Sequence, residues 1–171
     1  VRPPQKRKVS KADWQKFIQK AAPNFTVEGS GEGGVVRFGT FRNKTATRTH
    51  PIKRGEPSVL SRKLKVHKGK KTILHATVSH HSHGDWELRV KVDGKIVSKA
   101  EVSSKTTTDE WLTHEVDLTP YGGKTVDLQL ENNPTGWMNE WAYWHEVKVS
   151  IVPFSEKKKT SAKDKAKVVF I

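Results

Sequence analysis

Apolar residues recur along this chain with two different periods. Between Ser10 and Pro23 they fall at Trp14, Phe17, Ile18 and Ala21, one face of a helix, with Ser10 suited to cap the first turn and Asp13 an acid within it. Pro23 ends the run, because proline has no N–H to continue a helical ladder. Beyond it the period becomes two, and turn residues recur about every ten positions. The alternation predicts strands over 35–40, 58–66, 72–79, 86–92, 95–102, 112–118, 125–131 and 140–152. Asp93-Gly94 between two alternating runs predicts a type I′ hairpin, since both central residues need positive φ. Eight short strands with one N-terminal helix predict an all-β antiparallel two-sheet sandwich.

The densest aromatic stretch is 132–149, where three of the six tryptophans and one of the two tyrosines follow an Asn/Pro/Gly turn and lead into the last strand. Strict alternation puts Trp141, Tyr143, His145, Val147 and Val149 on one side of that strand and Ala142, Trp144, Glu146 and Lys148 on the other. Trp141, Tyr143 and Trp144 therefore read chiefly as sandwich interior. Trp137 stands apart in the loop of Pro134 to Glu140, with no alternating partner, and is the candidate for stacking on a sugar ring. Asn139 and Glu140 beside it could meet hydroxyl groups. Trp86 aligns with Leu88, Val90 and Val92 as a core residue, and Trp111 fits either a rim or the core.

Composition narrows the chemistry. With no cysteine, disulfides and thiolate metal sites are excluded. No apolar run approaches the roughly 18–20 residues that span a bilayer, which predicts a soluble domain. The chain starts at Val1 with a charged segment and no apolar stretch behind it, and so reads as a mature product or a piece of a longer chain. We divide it into a basic N-terminal segment with a short helix at 1–22, a β-sandwich module at 23–154 and a Lys-rich tail at 155–171, whose apolar last four residues could add an edge strand. The net charge of +14 is uneven: both ends are basic, and from Arg37 to Lys71 twelve Lys/Arg face Glu56 alone, whereas 72–154 is net acidic. Such a sector attracts polyanions or serves as a solvated surface. Nucleic acid is an unfavoured partner, because the chain lacks the aromatic-basic interleaving of single-strand binders and any base-reading motif.

His80, His81 and His83 lie within four residues, followed by Asp85. The set fits a metal site, hydrogen bonding to a sugar or anion, or a structural role; of these, His80, His81 and Asp85 are taken as polar ligand contacts. No Gly-x-Ser-x-Gly elbow, P-loop or His-Glu-x-x-His is present, and no two carboxylates stand out as an acid/base pair, which predicts a noncatalytic protein.

Several ordered motifs carry a resemblance: Thr49-His50-Pro51, Val59-Leu60-Ser61-Arg62-Lys63, Val78-Ser79-His80-His81, Gly84-Asp85-Trp86-Glu87-Leu88, Val90-Lys91-Val92-Asp93-Gly94-Lys95, Val116-Asp117-Leu118, Tyr121-Gly122-Gly123-Lys124-Thr125-Val126, Gly136-Trp137, and Glu140 with Ala142-Tyr143-Trp144 and Glu146. Over about 34–152 the chain resembles galactose-binding-domain-like jelly-roll modules, which are similar to carbohydrate-binding modules and are appended to large secreted bacterial proteins. The resemblance implies a jelly roll, sugar binding at end loops or on a concave sheet face, and a structural calcium ion near the last strand, with Glu146 as its ligand. It implies a location outside the cytoplasm: extracellular, periplasmic or at the cell surface. The expected function is a noncatalytic module for a polysaccharide, acidic or sulfated chains included. The alternative is a protein-interaction or assembly module contacting a neighbouring domain or subunit of a larger secreted protein or complex.

Overall fold

The computed structural model describes residues 10–30, 36–137 and 139–154; the expectations for 1–9, for Val35 and for the tail at 155–171 lie outside the described residues. Helix α1 spans Lys11–Ala21. Its capping box is complete: the Asp13 N–H donates to Ser10 Oγ at 3.2 Å, and the Ser10 N–H to Asp13 Oδ2 at 3.0 Å.

Ten strands follow: β1 (Thr26–Glu28), β2 (Arg37–Phe41), β3 (Lys44–Thr49), β4 (Ser58–Lys65), β5 (Lys70–His80), β6 (Trp86–Val92), β7 (Lys95–Val102), β8 (Leu112–Asp117), β9 (Thr125–Asn133) and β10 (Ala142–Pro153). They form two five-stranded antiparallel sheets, ordered β1-β4-β9-β6-β7 and β2-β3-β10-β5-β8, which is the jelly-roll sandwich expected. The Asp93-Gly94 hairpin is present, with φ of 50° and 82°, and β6 pairs β7 on either side of it.

The interior lies between the sheets. Leu60, Leu88, Val90, Leu128 and Leu130 project from the first sheet against Leu74, Ala76, Val78, Trp144 and Val147 of the second. Trp86 and Trp144 meet at its centre, ring centroids 5.3 Å apart, and each indole N–H is satisfied: Trp86 by the Ser79 carbonyl and Trp144 by Thr49 Oγ1, both at 3.0 Å. The helix shares this core, since Ile18, Ala21 and Ala22 are buried with Phe25. Gln15 exchanges two hydrogen bonds with the Val27 backbone, and Thr47 Oγ1 donates to the Phe17 carbonyl.

Two features depart from the sequence pattern. Strands β1 and β3 were not expected, because one is three residues long and the other, Lys-Thr-Ala-Thr-Arg-Thr, carries a single apolar residue. β3 forms through its β-branched threonines and a two-residue turn at Arg42-Asn43, with φ of 50° and 70°. The second departure is a bulge at His145, where the β10–β5 register shifts between Trp144 and Glu146. The strict alternation expected for 141–149 therefore changes side there. Trp144 and Val147 both enter the core, while Tyr143, Glu146 and Lys148 share the opposite face.

Candidate functional site

Cross-strand register determines what the outer face of the second sheet carries. Tyr143 lies opposite Arg48 and Ser79, and Arg48 opposite Arg37, whereas the neighbouring pairs Ala142–Thr49 and Trp144–Thr47 turn inward. On the outer side, Ala46, Trp111 and Tyr143 form a second, small buried cluster flanked by half-buried Phe41 and Trp141.

From that cluster a ladder of rings and one cation runs toward the loop end. Phe41 stacks on Tyr143 with centroids 4.9 Å apart and planes 16° from parallel. The Arg48 guanidinium lies 5.7 Å from the Phe41 centroid and 4.4 Å from that of Trp141. Trp141 packs edgewise on His50 at 4.7 Å, and His50 packs edgewise on Trp137 at 5.3 Å. Trp137, the loop aromatic singled out in the sequence, is thus the terminal rung of a series that continues down the sheet.

The rim beside Tyr143 is built from two tight turns that hold each other. Arg42 and Glu110 both sit at positive φ, 50° and 73°, and Arg42 Nη2 donates to Glu110 Oε2 at 2.6 Å. Arg42 Nη1 donates to the His80 carbonyl at 2.7 Å, and the Trp111 indole N–H donates to the Arg42 carbonyl at 3.0 Å. Burial lowers the Arg48 pKa; nearby Tyr143 opposes that and Arg37 adds to it. The Tyr143 hydroxyl is pushed up by burial, with Arg48 and Arg42 drawing it down.

The loops at the same end hold the remaining expected residues. Glu140 is 1% exposed, and its Oε1 accepts the Gly136 N–H, so its carboxylate braces the loop that presents Trp137. Its pKa is raised, chiefly by burial and further by Asp85, while bonds from Gly136 and Thr135 pull the other way. Asn139 is half-buried, and its carbonyl lies where a Cβ on Gly84 would come within 2.0 Å, so the 81–85 loop needs glycine to dock there. Thr135 Oγ1 donates to Asp85 Oδ1. His80, 2% exposed, donates from Nδ1 to the carbonyls of His81 and Gly84 at 2.7 and 2.9 Å. His81 is half-buried, its pKa lowered first by burial and then by His83, Arg42 and His80. His80, His83 and Asp85 line a polar cleft of roughly 300 Å³ with Glu101 and Ser103.

Glu140 and His80 are enclosed: Glu140 Oε1 and His80 Nδ1 are bonded within the loops, while Glu140 Oε2 and His80 Nε2 are buried without a hydrogen-bond partner among the described residues. Glu146 is half-exposed on the outer face with Lys148 Nζ at 3.5 Å. No group of three or more His, Cys, Asp or Glu suited to a metal ion occurs among the described residues. Phe41, Arg48, His50, Trp141 and Tyr143 were not expected at the surface site. Their signal lies in the pairing of β3 with β10, which the polar character of β3 hid.

A larger cleft, roughly 660 Å³, lies over the first sheet between Asn24, Ser61, Arg62, Lys63, Asp93, Asp127 and Gln129. No ring lines it, and Lys63 is engaged with Asp127 at 2.8 Å.

No protein-family model and no curated protein matches the sequence. Solved structures with the same fold include the CBM22-1 xylan-binding domain of Paenibacillus barcinonensis Xyn10C, 16% identical with a TM-score of 0.52 over 80% of this chain and 91% of that one. Another is the enzymatically active domain of tailspike protein 4 of bacteriophage CBA120, 12% identical with a TM-score of 0.50 over 75% of this chain and 19% of that one. A cyclase from Fischerella sp. TAU is 11% identical, with a TM-score of 0.49 over 75% of this chain and 74% of that one. The chain has a jelly roll of the kind found in carbohydrate-binding modules.

Proposed function

We propose that this protein is a noncatalytic carbohydrate-binding module that lays a polysaccharide along the outer face of its second sheet. The observation that carries the reading is the ladder from Phe41 through Arg48, Trp141 and His50 to Trp137, with Phe41, Trp141 and Trp137 each half-buried. Flat rings held edge-up or face-up by their neighbours offer apolar area to the faces of pyranose rings at little entropic cost on binding. The fold is one that sugar-binding proteins use, including the xylan-binding domain above. His81, Asn139 and Asp85 at the loop end supply polar contacts where the chain of sugars runs off the sheet.

The reading carries with it a location outside the cytoplasm, where polysaccharides are met; no helix among the described residues is long and apolar enough to cross a membrane. The test is affinity electrophoresis over a panel of neutral, uronic and sulfated polysaccharides, with the wild type, Trp137→Ala and Trp141→Ala. Retardation by at least one glycan, weakened in both variants, supports the module. Absence of retardation by every glycan refutes it.

A second reading, an interaction module within a larger assembly, has its own observation. Ile151, Val152 and Phe154 are 44%, 39% and 38% exposed at the end of β10. If that end docks on another domain, Ile151→Asp abolishes the association and leaves any glycan binding untouched.

A further inference from the structure

On the same outer face, the positive charge is left without its counterpart. Arg48 makes no hydrogen bond or ion pair with any described residue, and its Nε is buried without a partner. Arg37 faces it across the β2–β3 pair, and Lys44 lies on the same side opposite Phe41. Carboxylates do occur on this face, but Glu110 is held by Arg42 at 2.6 Å, Glu115 by His75 at 2.7 Å and Glu146 by Lys148 at 3.5 Å. Arg48 is half-buried, and burying its Nε–H without an acceptor is costly, so an anionic acceptor supplied by a ligand would be favoured there.

Arg48 is also flanked by rings, 4.4 Å from Trp141 and 5.7 Å from Phe41. An anionic group reaching Arg48 therefore arrives on a molecule that presents flat apolar faces to either side. A hexuronic acid residue within a glycan has that combination: a pyranose face to stack, and at C6 a planar carboxylate that matches the guanidinium fork. Resting on the glycan-binding reading above, we infer that the face between Phe41 and Trp141 is selective for a uronate-bearing polysaccharide, with Arg48 pairing the sugar carboxylate and Arg37 and Lys44 reinforcing it. Tyr143 beneath this pair fixes the depth at which the sugar rides, because Phe41 stacks on it at 4.9 Å.

The decisive probe is an oligogalacturonate and the same oligosaccharide with its carboxyl groups methyl-esterified, which keeps the ring faces and removes the charge. Fluorescence titration of the wild type should give affinity for the acid about 10- to 100-fold above that for the ester, the worth of hydrogen bonds to a charged group. Arg48→Gln should abolish that difference while leaving the ester's affinity within about twofold, and Trp141→Ala should weaken both ligands together. Equal wild-type affinity for acid and ester overturns the uronate assignment and leaves the glycan module standing. Tighter binding of a sulfated oligosaccharide than of the oligogalacturonate also overturns it. Failure of every oligosaccharide to bind overturns the module itself. The acid-against-ester comparison needs no variant, so it decides the matter even if Arg48→Gln does not fold.

Discussion

Trp144 and Trp141 are three residues apart and have opposite duties. Trp144 is fully buried against Trp86 and bonded to Thr49 Oγ1, so its removal opens a cavity at the centre of the sandwich. Trp144→Ala should cost about 3–5 kcal/mol in urea denaturation. Trp141 lies over Arg48 and His50 on the outside, and Trp141→Ala should lower glycan affinity about tenfold or more while moving the urea midpoint far less. Glu140 adds a pH dependence. Its carboxyl has a raised pKa in the folded protein, mainly from burial, against an ordinary value of 4.5. The protonated form is favoured by folding, so the contribution is fully present below about pH 4.5 and is lost as pH rises through the raised folded value. Thermal melts of Glu140→Gln across that window should lack the decline that the wild type shows, and an identical decline in both proteins would assign it to another group.

Strand β10 decides how the aromatic residues are shared between core and surface. Without the bulge at His145, Val147 would leave the core and Glu146 would enter it. Deleting His145 removes only the extra residue and leaves Glu146 opposite Thr77 and Val147 opposite Ala76, so the deletion should still unfold cooperatively, whereas inserting a second residue beside His145 should turn Val147 outward and abolish cooperative unfolding. Loss of the cooperative melt in the deletion would contradict this register. The same bulge limited what was legible in sequence. The helix, the Asp93-Gly94 hairpin and six strands of plain alternation could be read from period and turn residues alone. β3 could not, because its strand character comes from threonines paired to β10, and because its turn uses Arg42-Asn43 in place of an Asn-Gly signal. Arg42 tolerates its positive φ through bonds to the His80 carbonyl and Glu110, partners that are distant in sequence. Trp137 was recognisable from its loop. The rungs beneath it were not, since Phe41 and Arg48 belong to a segment whose composition signals only charge.

For the whole molecule, the net charge of +14 and the paired acids of the outer face give opposite-sign ligands an advantage at long range. If a uronic chain binds, its affinity should fall steeply between low and physiological salt, while a neutral chain's should change little. The first sheet's cleft is larger but is lined by groups such as Lys63 and Asp127 that already satisfy each other. Volume alone therefore points to one face, and ring geometry with unsatisfied charge points to the other.

The central claim is that the glycan lies on the outer face of the second sheet, and the six tryptophan indole N–H signals report on it directly. Titrating an oligosaccharide ligand into isotope-labelled protein should shift the indole signals of Trp141 and Trp137 and the amides of β2, β3 and β10, leaving those of Trp86 and Trp144 in place. Shifts confined to Asn24, Ser61, Asp127 and their neighbours on the first sheet would contradict it.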